Sequence, residues 1–171
     1  MINNMIEHNL LSNKNKFKAV NYLFIFLLLC WSTGFLFPVL SPSFTGKAII
    51  NQLLGYNYSI VCHQSESSEI NLGGAHLLVC ARCTGIYLGA LFTAIIMLFN
   101  LSRIKLSLIP FIIFSAPLVI DAFAVRLHIY SYSKTVAFIT GLLFGAIVLF
   151  YILDSIENSF NFLYKKKNEL Q

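Results

Sequence analysis

Charge is what this chain lacks. Only 11% of its 171 residues are Asp, Glu, Lys or Arg, against 57% hydrophobic residues and a mean hydropathy of +0.74. Soluble domains carry about 25% charged residues, so a water-soluble domain is excluded and an integral membrane protein is the class that remains. A cleaved leader is not expected either. No small-x-small cleavage site follows the first apolar run, which is longer than a leader core. A lipoprotein junction fails at Leu29-Cys30, where a bulky leucine precedes the cysteine. No histidine follows the C-x-x-C pair of Cys80 and Cys83, which excludes a haem attachment. The formal charge of +5 comes from short basic clusters beside apolar runs. That placement is a topology signal and an attraction to lipid head groups, so the expected partner is the bilayer and not nucleic acid.

What is present is four apolar runs, at about 20–40, 83–99, 108–125 and 135–153, each close to the roughly 20 residues that cross a hydrocarbon core. Residues 1–19 and 155–171 are polar tails around a single membrane domain, 20–154. Between the first two runs, Ala48, Ile49, Leu53 and Leu54 recur at helical spacing among polar residues. This predicts an amphipathic helix along the interface, with Tyr56 and Tyr58 at head-group depth. The expected fold is therefore all-α: a polytopic bundle of four transmembrane helices plus one interfacial helix. Four spans put both termini on one side. The tails and the 100–107 loop hold Lys14, Lys16, Lys18, Arg103, Lys105 and Lys165 to Lys167, against Lys47, Arg82, Arg126 and Lys134 opposite. The excess of basic residues predicts cytoplasmic termini in the cell (inner) membrane, with the 59–83 loop facing outward.

That loop concentrates the chemistry. It carries Cys62, His63, His76, Cys80 and Cys83, and its stretch Ser65–Gly74 is polar and glycine-bearing, which predicts an irregular loop. Thiols and imidazoles so grouped are ligands for a transition metal ion, zinc above all, and C-x-x-C spacing places two sulfurs on one ion. Cys62, His63, Cys80 and Cys83 are the expected ligands, with His76 or Asp121 as substitutes for His63. Gln64, Arg82, Tyr87 and Asp121 are expected to orient ligands or substrate. Two other readings use the same thiols. Cys80 and Cys83 at a helix N-terminus form a redox pair, with Cys62 as the resolving thiol. Alternatively, a disulfide from Cys62 to Cys80 or Cys83 staples the loop to the bundle. Cys30, inside the first run, is expected to be a buried structural thiol.

Asp121, inside the third run, is costly unless paired. Arg126 lies five residues on and faces another direction, so Arg82 is the favoured partner. Gly85-x-x-x-Gly89 and Gly141-x-x-x-Gly145 predict close approach of the second and fourth spans. Three functions follow: a metal-binding membrane protein, a membrane thiol-disulfide oxidoreductase, or a small transporter or accessory subunit with Asp121 on an ion path. Four thin helices leave little room for alternating access except in a homo-oligomer.

Cys62-His63-Gln64 and the string V-C-A-R-C-T-G-I-Y-L-G from Val79 to Gly89 resemble a family of small prokaryotic membrane proteins catalogued as domain of unknown function 2085. P-L-V-I-D at Pro117–Asp121 and T-G-L-L-F-G at Thr140–Gly145 extend the similarity over roughly Ser59–Gly145. The resemblance implies a membrane bundle with its site at the cysteine strings, and it implies no activity. Family members are expected to carry an Arg-Ser pair where this chain has Ser67-Ser68, and an arginine shortly before Thr140-Gly141, where this chain has Val136 to Ile139. An anion-binding role for those arginines is not expected here.

Overall fold

A computed structural model of the chain describes residues 2–41, 47–62, 68–72, 74–99 and 107–169. The apolar runs form helices α1 (Ile2–Leu40), α3 (Ala81–Leu98), α4 (Leu108–Arg126) and α5 (Lys134–Glu169). Each holds a segment long and apolar enough to cross a membrane: Phe17–Leu40, Ala81–Leu98, Leu108–Arg126 and Lys134–Phe160. The shortest, at 18 residues, reaches about 27 Å at 1.5 Å per residue. A fifth helix, α2 (Lys47–Ser59), is too short to span. Ile49, Leu53 and Tyr56 lie on its exposed face, which suits the interface. This is the four-span helical membrane bundle expected from composition.

The tightest seam runs between α3 and α5, and glycine makes it possible. A methyl group on Gly85 would overlap the carbonyl of Phe138, and one on Gly89 the carbonyl of Leu142. From the other side, Gly141 lies against the Arg82 carbonyl and Gly145 against that of Ile86. The two small-x-x-x-small motifs interlock with each other, backbone on backbone, as the sequence predicted.

Helix α4 is held differently. Asp121 is its sole buried residue, while Ile109, Ile112, Ile113, Ile120 and Phe123 stay exposed, a face for lipid. Its far end is tied to α5 by the Tyr151 hydroxyl on the Ser107 carbonyl and by the edge of Phe111 on Tyr151. Two apolar clusters fill the bundle. One, at the far end, comprises Phe17, Ala94, Met97, Leu149 and Leu153, with Asn21 donating to the Ala94 carbonyl at 3.0 Å. The other, at the cysteine end, comprises Phe35, Tyr58, Cys62, Leu77 and Val79.

Three expectations are corrected here. The stretch read as loop is partly a β-hairpin, β1 (Glu69–Leu72) against β2 (Ala75–Cys80), turning at Gly74 with φ +83 and a Gly74 N–H bond to Asn71 Oδ1. Leu77 and Val79 alternate inward onto Phe35, a period-two pattern too short to stand out beside the glycines. Tyr58 faces into the bundle and not out to the surface. It is 4% exposed, its ring lies edge-on to Trp31, and its hydroxyl donates to the Trp31 carbonyl at 2.8 Å. Tyr58 and Leu54 share a helical face with four-residue spacing, and that face packs on α1. Cys30 is exposed on the outside of α1, because an apolar helix in lipid needs no core to hide a thiol.

Candidate metal centre

The hairpin has one structural consequence that matters most. Strand β2 runs without a linker into α3, so Cys80 is at once the last strand residue and the N-cap of a spanning helix. Its sulfur takes the place of the usual capping oxygen, accepting from the Cys83 backbone N–H at 3.5 Å. The first turn of α3 then carries Cys83 back beneath Cys80. Cys62 arrives from the end of α2, where its backbone N–H closes the helix onto the Tyr58 carbonyl at 2.9 Å. There the Cys62 sulfur accepts the Cys80 backbone N–H at 3.2 Å.

The three sulfurs converge. Each lies within 4.8 Å of the other two, and no disulfide joins them. A tetrahedral thiolate site with metal–sulfur bonds of 2.3 Å separates its sulfurs by about 3.8 Å, so a modest contraction would seat an ion. Backbone N–H groups aimed at Cys62 and Cys80, and the positive end of α3, both favour thiolate over thiol. Titration is shared unequally. The Cys80 thiol is pushed well down by hydrogen bonds from the Cys62 and then the Cys83 thiols, helped by nearby backbone N–H groups. Cys62 is pushed up, chiefly by its hydrogen bond to Cys80. A negative charge shared within such a group of thiols is stabilised by its neighbours, and a cation would take over that role.

The floor beneath the sulfurs is aromatic. Trp31, Phe35, Tyr58 and Tyr87 pack edge to face around Cys62, Cys80 and Cys83, with Trp31 and Tyr87 centroids 5.9 Å apart. Such a wall lowers the local dielectric and strengthens any thiolate–cation attraction.

To one side sits the ion pair. Arg82 Nη2 reaches Asp121 Oδ2 at 2.5 Å, and the Tyr130 hydroxyl donates to Oδ1 of the same carboxylate. Asp121 has its favoured partner Arg82, and with both oxygens engaged it stays out of the thiol group. His76 is also separate: it is exposed, and its Nδ1 faces the Glu69 carboxylate at 3.5 Å. His63 and Gln64 lie outside the described residues. Two residues near the site were not singled out in the sequence. Tyr130 closes the Asp121 carboxylate, and Tyr132 lies beside Arg82, whose Cζ is 6.0 Å from its ring centroid. The signal available was their position, directly after the third span on the side of the cysteines. Tyrosines there read equally well as an aromatic belt.

Comparison with known proteins adds a family. The profile of a predicted membrane protein family, DUF2085, matches residues 62–151, from Cys62 across the ion pair and the glycine seam. An uncharacterised protein of Methanocaldococcus jannaschii is 34% identical over 113 residues, covering 64% of this chain and 70% of that protein. No solved structure matches.

Proposed function

We propose, for a chain that belongs to the DUF2085 family of predicted membrane proteins, that its cysteine end is a binding site for a transition metal ion, best suited to zinc. Cys62, Cys80 and Cys83 supply three thiolates, and His63, next to Cys62 in sequence, supplies the fourth donor. The observation that carries this reading is the convergence of three sulfurs, one following α2 and two at the start of α3, to within 4.8 Å of one another. Their softness and the C-x-x-C geometry favour zinc over magnesium or calcium, which prefer oxygen. Arg82 and Asp121 are proposed to fix the first turn of α3, and with it Cys80 and Cys83. Tyr87 borders the cysteines, and Gln64 is proposed from its place in the sequence to help orient the ligands. The basic-residue count orients the site toward the extracytoplasmic side of the cell membrane, with both termini cytoplasmic.

A second reading draws on the lowered Cys80 thiol at the helix N-terminus, which is the setting of a redox dithiol with Cys83. Elemental analysis of the purified protein combined with thiol counting separates the two. Metal binding is expected to give about one zinc per chain, with Cys30 alone reacting readily and three further thiols appearing after chelation. A metal-free protein with a reversible disulfide overturns the metal reading.

A further inference from the structure

Among the buried hydrogen-bond donors that have no acceptor among the described residues are two at the cysteine end, Arg82 Nε and the Tyr132 hydroxyl. Their side chains are neighbours, with Arg82 Cζ 6.0 Å from the Tyr132 ring centroid. No described neighbour accepts from them in this arrangement. Asp121 already receives Arg82 Nη2 on one oxygen and the Tyr130 hydroxyl on the other. Burial, and then the charge of Cys80, push the Tyr132 phenol up to about 12, so at neutral pH it is a donor and not an anion. Buried donors are almost always paired, and two unpaired ones on neighbouring side chains mark a place suited to an acceptor.

The charges nearby define which acceptor. Asp121 offsets the Arg82 guanidinium, so the pair offers direction without net attraction for an anion. The thiolates beside it repel one. A neutral oxygen is what remains. We propose that Tyr132 and Arg82 form a binding subsite for the carbonyl oxygen of a small neutral molecule, held against the metal–thiolate cluster. This rests on the metal reading and adds to it a ligand class and a binding residue, Tyr132, whose hydroxyl donates to that oxygen.

The chain's single tryptophan reports on the site, because Trp31 packs in the aromatic floor beneath the sulfurs. The test is fluorescence titration of full-length, zinc-loaded protein in detergent with N-methylacetamide, and with acetate as its anionic counterpart. Wild type is expected to bind the amide saturably and acetate at least tenfold more weakly. Tyr132→Phe, which removes only the oxygen, is expected to raise the amide dissociation constant about tenfold with zinc content unchanged. Tyr130→Phe, which removes a hydroxyl already used by Asp121, is expected to leave amide binding within twofold. Absence of saturable amide binding, equal affinity for acetate, or an unchanged constant in Tyr132→Phe overturns the subsite. Zinc content measured on the same samples shows separately whether the metal reading stands.

Discussion

Replacing Cys83 by serine is expected to lower zinc affinity by about 10²–10³-fold. Apparent binding energies of structural zinc sites run to about 10–16 kcal/mol over four ligands, so one thiolate accounts for roughly a quarter. Serine keeps the size but stays protonated and hard, so it does not substitute as a donor. Cys83 is the informative position because it sits in the first turn of α3, where the helix is formed by the glycine seam and the ion pair and not by the sulfur. Cys30→Ser is the matched control. That thiol is exposed on α1 and does not belong to the group of three sulfurs, and its loss is expected to leave zinc content unchanged. The measurement is competition for zinc against a chromophoric chelator. Equal affinity in Cys83→Ser and wild type, or loss of metal in Cys30→Ser, contradicts the assignment.

Removing the carboxylate of Asp121 is expected to be the most damaging single change to the bundle. Breaking a buried ion pair from one side costs about 3–5 kcal/mol, because the remaining charge has no partner. Arg82 keeps 25% of its side chain exposed while Asp121 keeps 3%, so the loss falls near the lower end of that range. Asp121→Ala also strands the Tyr130 hydroxyl, and it frees the cysteine end of α4, which has no other buried residue. Replacing both partners, Arg82→Met with Asp121→Leu, is expected to restore stability to within about 1 kcal/mol of wild type, since nothing charged is then left in an apolar place. Unfolding of the metal-free protein by added SDS in mixed micelles reads both values. A single variant that loses less than about 1 kcal/mol, or a double variant worse than the single, contradicts the role given to the pair.

The features legible in the sequence are those in which one residue type at one spacing has one cheap solution. Four apolar runs in a chain poor in charge must be spans, because unpaired backbone cannot cross lipid in any other small form. Two Gly-x-x-x-Gly motifs at matching depth had to meet. An aspartate in an apolar run had to find a cation at its own depth, and Arg82 was the one positioned to reach it. The thiols follow a similar logic: C-x-x-C at a helix start brings two sulfurs together, and the third, Cys62, lies 18 positions before Cys80 across a hairpin that returns the chain to it. What stayed hidden depended on tertiary context. The hairpin rests on Leu77 and Val79 finding Phe35 of α1, a contact no local pattern announces. Tyr58 and Tyr56 look alike in sequence, yet one packs on Trp31 and the other faces outward. Tyr132 is marked out only by tertiary context, a hydroxyl buried beside Arg82 with no partner among the described residues.

The convergence of Cys62, Cys80 and Cys83 on one ion is tested most directly by X-ray absorption at the zinc edge of the purified, metal-loaded protein. Three sulfurs at about 2.3 Å with one lighter nitrogen or oxygen donor at about 2.0 Å is the expected first shell. A shell of nitrogen and oxygen alone, or one with a single sulfur, would contradict it.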